Sequence, residues 1–208
     1  RLAVFNLELN GAGQERELIV PARALQELSR LLGEAQQPAR MTVNSAQTQV
    51  LFDLGHATLV ANLIQGTFPN YQQLIPASSA THTEVSVNEF KQETRLASIF
   101  ARDGSGIVRL IATPGAAGVP GRLLVTARAE EVGNNEGEID AMVTGEEAKI
   151  AFNSRYLQDV LNVLTTDRVA IETSSPSAPG VLRPVGDDRY VHVVMPRSEE
   201  HTSELQSH

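Results

Sequence analysis

The 208-residue sequence predicts an α+β fold built from one repeated unit, β-β-α-β-β-β, with antiparallel sheets outside and helices on one face. Two observations carry that reading. A helical segment, Val20–Leu32, recurs at Phe152–Leu164, where Arg23, Leu25, Gln26 and Leu32 find matches in Arg155, Leu157, Gln158 and Leu164 at an offset of 132. Each copy also precedes three short alternating segments separated by turn residues, which is the pattern of an antiparallel meander.

Taken in order, Leu2–Leu9 reads as a strand turning at Asn10-Gly11 toward Glu17–Val20, a hairpin signal. Pro21 suits a first helical turn, and Leu25, Leu28, Leu31 and Leu32 recur at helical spacing and should be the buried stripe. Residues 40–44, 49–53 and 57–64 form the first meander, broken at Gly55-His56. Residues 77–81 within Pro76–His82 have linker composition. Val87–Ala101 is a helix candidate, followed by strands 107–113 and 122–128 around the turn-rich Pro114–Gly121. A second hairpin is expected from Glu138–Val143 turning at Gly145 into Lys149–Phe152, with Asn153 as the N-cap of the next helix. The last meander is 168–173, 180–185 and 189–195, divided by the Ser-Pro-rich stretch 174–179 and by Gly186-Asp187-Asp188. The expected division is one unit at 1–76 and two at 82–196. Residues 197–208 lose all hydrophobic periodicity and look like the translation of a sequencing-library adapter, with a disordered natural tail as the alternative.

Composition narrows the chemistry. With no cysteine, disulfides, thiolate metal sites and cysteine nucleophiles are excluded. No run approaches the roughly 20 apolar residues of a membrane-spanning helix. Aromatic residues are 4% of the chain and tryptophan is absent, which argues against a base-stacking platform. A net charge of −8 leaves room only for a local basic stripe. His56, His82 and His192 fall at a turn, a linker and a strand without ligand spacing, and read as exposed or satisfied. Gly115, Gly118 and Gly121 lack the Lys-Ser/Thr and the helix that a phosphate loop needs. Neither catalysis, nor a metal, nor a cofactor is expected.

The helices carry more. Arg23, Gln26 and Arg30 lie at i, i+3 and i+7 on one face; Arg155 and Gln158 repeat that pattern, and Lys91 and Arg95 sit at i and i+4 of the middle helix. Cationic stripes on pseudo-equivalent helices, in a chain acidic elsewhere, suit duplex phosphates contacted without base readout. The competing reading is an α+β protein–protein scaffold with merely solvated helix faces.

Four separated segments, Leu18–Leu28, Gly66–Pro76, Phe152–Leu161 and Val193–Pro196, together resemble the bacterial DNA polymerase III beta subunit, the sliding-clamp family, continuously over residues 1–196. The resemblance implies the DNA-clamp fold, with the second half of a middle domain at 1–76 and a C-terminal domain at 82–196. It implies a non-catalytic DNA-replication protein, a processivity factor of the DNA polymerase III complex, that is a homodimer when full length. It implies cytoplasmic, nucleoid-associated location. The implied partners are double-stranded DNA without sequence preference, the polymerase III catalytic subunit, the clamp loader and other proteins bearing a clamp-binding motif. A partner-peptide pocket would have its apolar floor at Leu2, Pro69, Leu74, Val193 and Met195, a second lobe at Asn153, Tyr156 and Pro196, and Arg1 and Gln73 at the rim. Arg23 would face DNA, and Ile99 and Phe100 would meet the other subunit. The family's usual residues after Met-Pro, and those preceding Arg1, are not present in this sequence.

Overall fold

The computed structural model describes residues 1–8, 16–102, 105–116, 119–129 and 133–197. The chain divides into two compact units, one of Arg1–Glu8 with the residues from Tyr71 onward, the other spanning Leu9–Asn70.

In the smaller unit, helix α1 (Ala22–Leu32) accompanies the antiparallel meander β2 (Arg40–Val43), β3 (Gln49–Asp53) and β4 (Thr58–Asn62), in the order β2-β3-β4. Alternation along β3 buries Val50 and Phe52, which join Leu54 and Leu63 in a small core. Leu28 and Leu31 pack on that core, but Leu25 and Leu32 are exposed, so only half of the expected leucine stripe is covered. One three-stranded sheet is too narrow to hide both flanks of an apolar helix face.

The expected N-terminal hairpin is not formed. Strand β1 (Leu2–Phe5) pairs antiparallel with β12 (Tyr190–Val194) in the larger unit, Leu2 opposite Val193, while Glu17–Val20 is not a strand. The physical reason lies in the alternation: Leu2 and Val4 pack against Val181, Val191 and Val193, an apolar surface that a local hairpin would leave bare. The Asn10-Gly11 turn lies outside the described residues.

The larger unit also contains β5 (Thr81–Ser86), α2 (Val87–Arg102), β6 (Ile107–Thr113), β7 (Gly121–Ala129), β8 (Gly133–Gly145), β9 (Ala148–Asn153), α3 (Ser154–Val163), β10 (Arg168–Thr173) and β11 (Gly180–Pro184). The strands run in the order β1-β12-β11-β10-β5-β8-β7-β6-β9. The long β8 joins two halves of this sheet: Gly133–Ala141 pairs with β7, and Met142–Gly145 pairs with β5. Helices α2 and α3 pack on each other, and their buried faces, with Phe90, Leu157 and Leu161, enter one core with Leu110, Leu123, Phe152 and Val169.

Two expectations change here. The predicted β8–β9 hairpin is absent, because β8 already pairs with β5 where the turn begins and β9 crosses to the far side of β6. At that turn Gly145 has φ +100°, and a Cβ would collide with the Ala80 carbonyl. The expected 77–81 linker runs into β5 at Thr81, whose buried hydroxyl donates to the Glu146 carbonyl at 2.8 Å. Polar-looking Thr-His-Thr-Glu hides an interior strand: Thr81, Thr83 and Val85 face the core while His82 and Glu84 face outward. Asn153, in contrast, caps α3 as predicted, its side chain accepting from the Arg155 N–H at 3.0 Å. At the other end Arg197 donates its N–H to the Ala151 carbonyl, so the main chain is still held one residue past Pro196.

Candidate functional site

Two surfaces gather the residues singled out by sequence. The first is the helix layer. Burial of Phe90, Thr94 and Ala97 turns Lys91 and Arg95 outward on α2, and burial of Leu157 and Val160 does the same for Arg155 on α3. Both helices bury their other sides in one core, and these cations lie on the exposed sides of the helix pair. The side chains of Lys91, Arg95 and Arg155 make no ion pair among the described residues, so their charge is available to an external anion. Gln158 is half-buried beside them.

In the smaller unit α1 exposes Arg23 and Gln26, and Arg23 likewise has no partner among the described residues. Arg30 differs. Its guanidinium donates to both Glu27 oxygens, at 2.6 to 3.1 Å, and lies 3.7 Å from Glu34. The hydrogen bond from Arg30 lowers the Glu27 pKa, and Glu27 in turn raises that of Arg30. Arg30 is therefore a weaker candidate for an anion than the helical stripe suggests.

The second surface lies along β1 and β12. Val193 is buried, with Leu2 and Ile75 packed against it, and the apolar side chains of Leu74 and Met195 stand about half exposed beyond. Gln73, in the 3-10 turn Tyr71–Leu74, is exposed, and Pro196 is half-buried. Arg1 reaches α3: its guanidinium pairs with Asp159 and lies 4.7 Å from the centroid of the Tyr156 ring. Asn153 begins the same helix face. Pro69 is exposed in the other unit. On α2, Ile99 is exposed, whereas Phe100 packs partly against the core.

Asp159 was missed in the sequence, although its i, i+3 spacing from Tyr156 put the two on one face. The three internal histidines are dispersed: His56 contacts the Leu54 carbonyl, His82 sits between Glu84 at 3.2 Å and Glu172 at 3.8 Å, and His192 is buried in β12. Of His192, Nδ1 meets the Tyr190 hydroxyl at 2.8 Å, while Nε2 has no partner among the described residues, so the expectation of an exposed or satisfied imidazole fails there. Among the described residues no group of three or more His, Cys, Asp or Glu is arranged to hold a metal ion.

Family models match both parts of the sequence: the central domain of the DNA polymerase III beta subunit over residues 1–70 and its C-terminal domain over residues 72–198. The chain belongs to the DNA polymerase III beta subunit family. Among beta-subunit relatives, the beta sliding clamp of Staphylococcus aureus strain Mu50 is 29% identical over 197 residues, covering 94% of this chain and 50% of the relative. The DNA polymerase sliding clamp from Bacillus subtilis superposes with a TM-score of 0.86 at 27% identity, over 94% of this chain and 50% of that one. The DNA polymerase III subunit beta from Pseudomonas aeruginosa gives 0.84 at 25% identity, over 94% and 52%. The chain thus spans about half the length of its beta-subunit relatives. The family boundary at residues 70–72 coincides with the division between the two compact units, six residues before the expected one, and β1 is the exception that crosses it.

Proposed function

We propose that the protein carrying this sequence is a sliding clamp, a processivity factor that encircles duplex DNA and tethers the replicative polymerase without catalysing a reaction itself. The observation that carries this reading is the unpaired cationic layer on α2 and α3, in a chain whose two parts match successive beta-subunit domains. Lys91, Arg95, Arg155, Gln158, Arg23 and Gln26 would contact phosphates, with Arg30 contributing less because Glu27 and Glu34 compete for it. Affinity would come from enclosure by a full-length homodimer, to which Ile99 contributes an exposed apolar contact beside Phe100.

The β1–β12 surface would take a peptide with leucine and aromatic anchors from the polymerase III catalytic subunit, the clamp loader or another protein bearing a clamp-binding motif. Leu2, Leu74, Val193 and Met195 would seat the leucine; Asn153, Tyr156 and Pro196 would seat the aromatic, with Arg1 and Gln73 at the rim. In this assignment residues 1–76 form the second half of a middle domain, 77–81 a linker and 82–196 the C-terminal domain, with 197–208 outside both. The site of action would be the bacterial nucleoid in the cytoplasm.

Retention on DNA tests the reading. The full-length protein, assembled on nicked circular DNA by its loader, should stay bound through gel filtration and be lost when the circle is linearised. Equal loss from both forms would favour a scaffold that does not enclose DNA.

A further inference from the structure

Asp159 stands where a helix gains nothing from it. It is exposed in the middle of α3, where aspartate is a poor helix former, and its one partner among the described residues is Arg1, 158 positions away in sequence. That contact engages Arg1 through Nη1 alone. The guanidinium is at the same time stacked over Tyr156, 4.7 Å from the ring centroid, one helical turn before Asp159. A carboxylate and an aromatic face thus fix a long side chain that would otherwise sample many rotamers, while Nε and Nη2 have no partner among the described residues. Tyr156 is itself more than one-third exposed, so the stacked pair is open to solvent and to a ligand.

We propose that Asp159 is a positioning residue of the peptide pocket: it holds the Arg1 guanidinium across Tyr156 so that the remaining N–H donors meet main-chain carbonyl oxygens of an extended peptide. The inference rests on the peptide-pocket reading of the β1–β12 surface. Its chemistry is general. An extended peptide laid on a pocket leaves main-chain acceptors unpaired, and a planar fork that is already immobilised satisfies them without losing rotamer freedom on binding. Asp159 does not touch the peptide; it acts through Arg1, and its carboxylate also disfavours an acidic peptide at this rim.

The test is a double-mutant cycle in the full-length protein, using fluorescence anisotropy of a labelled extended peptide with leucine and phenylalanine anchors. Asp159→Asn should weaken binding about three- to tenfold, the size of one immobilised side chain. Asp159→Glu should recover most of the loss, and Arg1→Lys, which lacks the planar fork, should not bind better than Asp159→Asn. In an Arg1→Ala background, Asp159→Asn should have no further effect. A merely structural role would instead lower affinity equally in both backgrounds, and that result overturns the proposal, as does unchanged affinity in the single variant. A full-length protein that fails to bind the peptide at all removes the pocket reading and this inference together, whereas binding insensitive to Asp159 removes the inference alone.

Discussion

His192 shows what a strand with two covered faces does to an ionisable side chain. Val191 and Val193 pack toward Leu2 and Val4, Val194 faces the main core, and the imidazole between them is buried. Burial is the main cause that brings its pKa down to about 4; Arg1 pushes the same way, and Asp159 opposes it. Burial likewise raises the Tyr190 hydroxyl that meets Nδ1. An unfolded histidine titrates near 6.5, so between about 6.5 and 4 the unfolded chain binds the proton that the folded chain refuses. Stability from this residue is therefore fully present above about pH 6.5 and is lost as pH falls toward 4. The ring-proton NMR titration of His192 should have its midpoint near 4, and one near 6.5 would show an imidazole in water. The sequence Tyr-Val-His-Val-Val showed the strand but not this burial, because alternation alone suggests one wet face and cannot say that α3 packs against the strand.

At the scale of elements, what the sequence revealed was local and what it hid was remote. The α3 cap and the β10-β11-β12 meander depend on neighbours in the chain and were legible. The pairing of β1 with β12 and the crossing of β9 to β6 bring together residues separated by up to about 190 positions, and a hairpin signal at Asn10-Gly11 or Gly145 says nothing of such partners. Strand β5 was missed because threonines fill its buried face, where the Thr81 hydroxyl is satisfied by main chain. The cationic helix faces, by contrast, follow from helical periodicity, and Lys91, Arg95 and Arg155 are exposed on α2 and α3. Lys91, Arg95 and Arg155 should each act as a phosphate contact in the full-length protein. Replacing any one by alanine should flatten the slope of log affinity against log salt by about 0.9, uniformly across DNA sequences. A variant of Arg30, already neutralised by Glu27, should change the slope less, and an equal change would show that DNA displaces Glu27.

For the whole molecule, the two compact units differ in how much apolar surface they close. The larger encloses Phe90, Leu110, Leu123, Phe152, Leu157 and Leu161 between helices and an extended sheet. The smaller relies on Val50, Phe52, Leu54 and Leu63 beneath one helix, and leaves Leu25, Leu32 and Met41 in water. Apolar burial is the main term opposing chain entropy, so the unit with the thinner core opens at lower free energy. The Val50–Phe52 amides of β3 should then exchange with deuterium on the order of 100-fold faster than those of β10 in the 208-residue chain, an opening free energy about 3 kcal/mol lower. Comparable protection in both strands would mean that the exposed leucines and Met41 are covered in solution. The same comparison bears on the proposed function, because Arg23 rides on α1 and, if it contacts DNA as proposed, is only as ordered as the small core beneath that helix.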